Sequence, residues 1–128
     1  MTAGRGIVNS ERMRAPGGRG IYGVQTWVAL PRSMEEDPPS FEHYGPDAVP
    51  TVADGEVTAR VIAGSWLGAT SRVRTSPALF YAEAQLEAGA VLQLTPEHEE
   101  RAVFVASGAI TVGATPIAEG EIAPVSYP

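Results

Sequence analysis

Imidazole and carboxylate groups are the side chains of this sequence that could bind a metal ion. The sequence has 2 histidines, 15 acidic residues and no cysteine, so it offers neither thiolate ligands nor disulfides. His98 stands beside Glu97 and before the pair Glu99 and Glu100. One imidazole with adjacent carboxylates is a weak ligand set, and a loop position is the alternative for His98. His43 lies in an acidic, proline-rich stretch, where an exposed side chain is the alternative to a ligand.

Arginines and aromatic residues could form a site for an organic ligand. Guanidinium groups bind carboxylates and phosphates through paired hydrogen bonds, and salt pairs with the acidic excess are the alternative. The arginines in question are Arg60, Arg72, Arg74 and Arg101. The larger aromatic residues are predicted to lie in the core or to line a barrel: Trp27, Trp66, Phe80, Tyr81 and Phe104. Of these two sets, Arg60, Arg101, Trp27 and Phe104 are the candidates for a small apolar ligand pocket.

Bulk composition excludes several classes of function. The net charge of -6 argues against direct nucleic-acid binding, which needs a basic face. No apolar run reaches the length of a membrane span, and the N-terminus lacks the apolar core of a signal peptide. We therefore predict a cytoplasmic protein without membrane contact. No serine stands in a nucleophile-elbow motif, so nucleophilic catalysis has no support.

The elements that must position these residues are predicted to be strands. Short runs of β-branched and aromatic residues alternate with turn residues, and the sequence has 14 Gly and 11 Pro, which disfavours long helices. The predicted strands are Gly6–Val8, Ile21–Leu30, Val57–Ala63, Ala78–Leu86, Ala90–Leu94, Ala102–Val105 and Ala109–Val112. Pro46–Pro50 is predicted to form one helical turn in a surface loop. This pattern predicts an all-β sandwich or barrel.

Four stretches, in order, carry the most specific information. They are TAGRGIVNSE at 2–11, IYGVQTWVALP at 21–31, RVIAG at 60–64 and PEHEERAVFVASG at 96–108. They resemble the motifs "TAGxGIxHSE", "xxGxQxWxxLP", "RxIAG" and "PxxHEERAxYVxxG" of pirin-like proteins, a branch of the cupin superfamily.

The resemblance implies an all-β, cupin-type (RmlC-like) jelly-roll β-barrel, single or incomplete. Pirin-like proteins have two such barrels, and the motifs match the end of the first and most of the second. Residues 1–20 are accordingly expected to be an N-terminal strand and a basic Gly/Pro linker. Residues 21–128 are expected to be a cupin-like β-barrel domain, whose sheet a second copy or a longer chain would complete.

The resemblance also implies where a metal would lie. The family holds Fe(II) through three histidines and one glutamate, two of the histidines lying upstream of the first motif. The third histidine corresponds to Asn9, and Glu11 stands at the position of the glutamate. We therefore expect no cofactor and no complete metal site in this chain, with Glu11 and then His98 as the remaining candidate ligands.

Three functions follow from the resemblance. The first is a binding or self-association module, non-enzymatic in this chain, that pairs with itself or with a protein partner. The second is an iron-dependent dioxygenase of the quercetinase type, if a longer chain or a partner subunit supplies the absent ligands. The third is a transcription cofactor-like regulator, as animal pirins are.

Overall fold

Strands make up most of the regular structure in this protein. The computed structural model describes residues 1–12, 17, 22–76 and 78–125. Within them, the strands are β1 Thr51–Asp54, β2 Val57–Ala63, β3 Ser65–Trp66, β4 Ala69–Thr70, β5 Tyr81–Leu86, β6 Ala102–Phe104, β7 Ala109–Val112, β8 Thr115–Ala118 and β9 Ile122–Pro124. The 3-10 helices Arg32–Met34 and Pro46–Ala48, each of one turn, precede these strands. The all-β prediction is confirmed, and the helical turn at Pro46 is confirmed with it.

The chain forms two compact units, Met1–Ala90 and Val91–Pro128. None of the helices in the described ranges has the length and apolarity that crossing a membrane requires. Residues 12–20, the predicted basic linker, fall largely outside the described residues. The predicted division at residue 20 falls there too, and it stays a prediction.

The first unit is built on a three-stranded antiparallel sheet in the order β1-β2-β5. A two-residue turn, Gly55-Glu56, joins β1 to β2. In β2, alternate residues are buried from Val57 to Ala63, because successive side chains point to opposite faces of a sheet. Val61 is fully buried, and Trp66 is only 4% exposed. The Trp66 ring stacks on Phe80 with centroids 5.5 Å apart, which places an aromatic pair beside the aliphatic core.

The pairing of β2 with β5 is interrupted by a shift of register between Val61 and Ala63. The carbonyl of Ile62, which lies at this irregularity, accepts a hydrogen bond from Ser71 Oγ at 2.7 Å. The backbone N–H of Ser71 donates to the carbonyl of Gly64 at 2.9 Å. Ser71 therefore ties the segment after β4 to the end of β2 and satisfies a polar group that the ladder leaves unpaired.

The second unit contains two antiparallel pairs, β6 with β9 and β7 with β8. The β7–β8 hairpin, with the turn Gly113-Ala114, lies between β6 and β9 in sequence. The core of the second unit consists of Val105, Ile117 and Ala123, with Ile110 and Val112 packed against them. Gly108, with a φ of 81°, lies between β6 and β7, and Glu119 accepts a hydrogen bond from its backbone N–H at 3.2 Å.

Three predicted strands are wrong for the residues described. Residues 6–8, 22–30 and 90–94 form no strand, and Ile21 lies outside the described residues. The predicted strand Ala78–Leu86 begins only at Tyr81. Alternation of apolar and polar residues gives a segment strand propensity, but a strand forms only where a neighbour completes its hydrogen bonds.

Candidate functional site

The two residues at the positions where the resemblance implies metal ligands, Asn9 and Glu11, contact each other. Asn9 Nδ2 donates a hydrogen bond to Glu11 Oε1 at 3.1 Å, and both side chains are exposed. An amide N–H directed at the carboxylate occupies one of the oxygens that a cation would need. Within the described ranges, no three His, Cys, Asp or Glu side chains lie close enough to share a metal ion. The described residues therefore do not fit a cage of three histidines and one glutamate.

The two histidines of the sequence lie elsewhere. His98 is half-buried in the turn before β6, while its acidic neighbours Glu97, Glu99 and Glu100 are exposed. His43 is exposed in the loop before the second 3-10 helix. Neither belongs to a three-ligand group among the described residues.

Arg101, one of the predicted ligand-binding arginines, is an interior residue of the second unit. It is only 9% exposed, and its Nη1 donates hydrogen bonds to the carbonyls of Thr95 at 3.0 Å and Leu94 at 3.4 Å. Its own carbonyl accepts from the backbone N–H of Val125 at 2.8 Å. Arg101 thus joins the stretch before β6 to the residue after β9.

The other pocket candidates are placed on surfaces. Arg60, in β2, lies 3.5 Å from Glu83 across the sheet, in an ion pair that is about half exposed. Phe104 in the second unit is 48% exposed, and Trp27 in the first unit is 82% exposed. The interpretation of Trp27 as a core residue is wrong, whereas that of Trp66 is confirmed. A shared pocket of Arg60, Arg101, Trp27 and Phe104 stays a prediction.

A cluster of polar residues after β4 brings two of the predicted ligand-binding arginines, Arg72 and Arg74, together with Tyr44 and Glu42, which the sequence did not indicate. The Tyr44 hydroxyl lies 2.8 Å from Glu42 Oε2 and 3.2 Å from the backbone oxygen of Arg72, and both accept from it. The hydrogen bond to the Glu42 carboxylate, then burial and the negative charge of Glu42, raise the pKa of Tyr44 above its ordinary value, while Arg74 acts in the opposite direction. Beside this cluster, a cleft of about 310 Å³ is lined by Asp47, Ala48, Pro50, Thr70 and Arg72.

The most exposed apolar stretch of the first unit is residues 22–30. Val24 and Val28 are each 55% exposed, and Trp27 more so. No hydrogen bond joins the backbone of residues 23–30 to another described residue. Within the described part of the chain, this strand-type segment, residues 23–30, therefore has no partner for its backbone donors and acceptors.

The chain is similar to several known proteins along nearly its whole length. It is 43% identical to "Pirin-like protein" of Caulobacter vibrioides over 127 residues, 96% of this chain and 44% of the relative. It is 32% identical to "Pirin" of Rattus norvegicus over 114 residues, 88% of this chain and 38% of the relative. With "Putative quercetin 2,3-dioxygenase PA1205" of Pseudomonas aeruginosa it shares 32% identity over 124 residues, 96% of this chain and 38% of the relative.

The chain spans less than half the length of each of these relatives. No protein-family model matches the chain, and no solved structure does.

Proposed function

Because this chain belongs to the pirin-like proteins of the cupin superfamily, we propose that it is a binding module that self-associates and has no metal site of its own. The observation that carries the proposal is the open, exposed backbone of residues 23–30. The hydrogen-bonded pair of Asn9 and Glu11 supports its second half, since an amide replaces an imidazole at a family ligand position.

A second copy of the chain is the occupant that this segment favours. The whole chain has a net charge of -6, so two copies repel each other over most of their surfaces. Residues 22–30 contain no charged side chain, which makes this stretch a place where two copies can approach without that cost. Pairing of a segment with its own copy is two-fold and self-complementary, so it closes as a dimer.

Antiparallel pairing about Thr26 suits the sequence of this segment. In that register Val24 of one copy lies opposite Val28 of the other, and Thr26 lies opposite its own counterpart. Apolar and threonine pairs opposite each other stabilise antiparallel strands. The pairing would also satisfy the backbone groups that other described residues leave open.

The mass in solution tests this association. We expect the wild-type protein to sediment as a dimer, and Thr26→Glu and Thr26→Lys each to sediment as a monomer, because like charges would face each other on the two-fold axis. An equimolar mixture of the two variants should restore the dimer mass through opposite charges. Val91→Lys is the matched control, since Val91 is 84% exposed in the other unit. A wild-type protein that stays monomeric at high concentration would overturn the proposal.

An iron-dependent dioxygenase of the quercetinase type is the second candidate. Two Pseudomonas aeruginosa relatives, at 32% and 35% identity, are each named "Putative quercetin 2,3-dioxygenase", which favours this function. In that function a longer chain or a partner subunit would supply the histidines that the described residues do not bring together. The two proposals differ in their need for iron: the binding module functions without a bound metal, whereas the dioxygenase requires bound iron.

Iron content after anaerobic incubation with Fe²⁺ and desalting separates the two candidates. We expect far less than one iron per chain, both in the wild type and in Asn9→His, because one added imidazole still leaves an incomplete ligand set. One iron per wild-type chain, with consumption of a flavonol, would contradict the metal-free module and favour the dioxygenase.

A further inference from the structure

The cleft beside β4 has walls that are fixed by hydrogen bonds to the central strand of the sheet. Pro50, on one side, accepts a hydrogen bond from the backbone N–H of Val61 at 2.9 Å. On the other side, Ser71 Oγ donates to the carbonyl of Ile62 and accepts from the backbone N–H of Val73 at 3.1 Å. Arg72 lies between Ser71 and Val73, so its backbone is held at the rim of the cleft.

Two opposite charges line this cleft. Asp47, in the 3-10 helix Pro46–Ala48, is the acidic residue of the lining, and Arg72 is the basic one. Among the described residues neither belongs to an ion pair, whereas Arg60 pairs with Glu83 and Arg74 with Glu42. The cleft therefore has one residue that can bind a cation, Asp47, and one that can bind an anion, Arg72. Within the described part of the protein, neither is neutralised by an ion pair.

We propose that the cleft binds a small zwitterion of the free amino acid class. The ligand carboxylate would lie against Arg72, whose planar guanidinium suits a carboxylate, and the ligand ammonium would lie against Asp47. The hydroxyl of Thr70, which shares a hydrogen bond of 2.9 Å with Ser65 Oγ, supplies a further polar contact.

The size and charge of the cleft narrow the class of ligand. A volume of about 310 Å³ is at the small end of the range for ligand pockets, which suits a molecule of a few heavy atoms. One carboxylate is too few for a metal ion, and no three-ligand group exists among the described residues. A phosphate dianion would meet a single arginine and be repelled by Asp47, so it fits less well than a zwitterion.

Chemical-shift titration tests the proposal with three small probes. L-alanine carries both charges, whereas acetate and methylammonium carry one each. We expect L-alanine to shift the backbone amides of Ala48, Thr70 and Arg72 and to bind about fivefold more tightly than either single-charge probe at low salt, because each exposed charge pair adds a modest factor. Equal binding of L-alanine and acetate, or no shift at these amides, would overturn the proposal.

Two variants and one control measure the contributions of Asp47 and Arg72 to binding separately. Asp47→Asn should reduce the affinity for L-alanine to that for acetate, and Arg72→Gln should reduce it to that for methylammonium. Arg74→Gln is the matched control, because the Arg74 side chain is 88% exposed and pairs with Glu42, and Arg74 does not line the cleft. A loss of L-alanine binding in Arg74→Gln as large as in Arg72→Gln would show a general charge effect and would contradict a specific site.

Discussion

Replacement of Gly64 by alanine is expected to lower the free energy of unfolding by more than about 3 kcal/mol. Gly64 ends β2 with a φ of 71°, where an L side chain already costs about 1–2 kcal/mol. An added Cβ would also overlap the backbone oxygen of Leu79 and lie 3.0 Å from the Cα of Phe80. These are backbone atoms leading into β5, so the clash is relieved only if the β2–β5 pairing shifts.

Gly68→Ala is the matched control for this prediction. Gly68 has a φ of 76°, but an added Cβ would meet no atom within 4 Å. The free energy of unfolding of the control should therefore fall only by the cost of an L side chain at positive φ, about 1–2 kcal/mol. Urea unfolding followed by the fluorescence of Trp66, which is buried beside this turn, measures both variants. An equal loss in the two would mean that the backbone at Leu79 gives way at little cost.

Replacement of Arg101 by methionine is expected to destabilise the second unit by about 2–3 kcal/mol, because hydrogen bonds from charged donors are among the stronger ones. Methionine fills a similar volume but cannot donate to the carbonyls of Leu94 and Thr95. Amide hydrogen exchange is a suitable measure, since the N–H of Val125 donates to the Arg101 carbonyl. The protection of the Val125 N–H against exchange should fall by as much as the free energy of unfolding, which is measured by far-UV circular dichroism in urea.

Arg60→Met serves as the comparison for Arg101. Arg60 forms its ion pair with Glu83 on the sheet surface, with 41% of its side chain exposed. Exposed pairs of this kind contribute about 0–1 kcal/mol, so this variant should remain close to the wild type. If Arg101→Met lowered the free energy of unfolding no more than Arg60→Met, water would be replacing the guanidinium at the carbonyls of Leu94 and Thr95. That result would refute the structural role of Arg101.

Local sequence signals were sufficient to predict a strand where that strand pairs with the next one along the chain. The strand Val57–Ala63 and the hairpin of β7 and β8 follow from β-branched runs that end at turn glycines. The same signals failed at residues 22–30, whose alternation is at least as regular. The difference lies in the partner strand, which is a property of the tertiary structure and is absent from any one segment.

The candidate sites divide in the same way. The resemblance to the motif "TAGxGIxHSE" led to the expectation that Asn9 and Glu11 stand at ligand positions, but only the structure shows that the amide donates to the carboxylate. Asp47 and Arg72 carry no motif, and they come from a 3-10 helix and from the segment after β4. Their common cleft depends on how the loop before β1 packs against the end of β4, which spacing in the sequence does not encode.

The placement of the β7–β8 hairpin within the β6–β9 pair has a consequence for how the second unit folds. Pairing of β6 with β9 must close the whole stretch between Phe104 and Ile122. The entropic cost of closing a loop increases with the length of flexible chain within it. Once the hairpin has formed through its two-residue turn, much of that stretch is no longer flexible, and the long-range pair has less chain to order. A local contact therefore lowers the barrier to a distant one, and the second unit can fold from its inner hairpin outward.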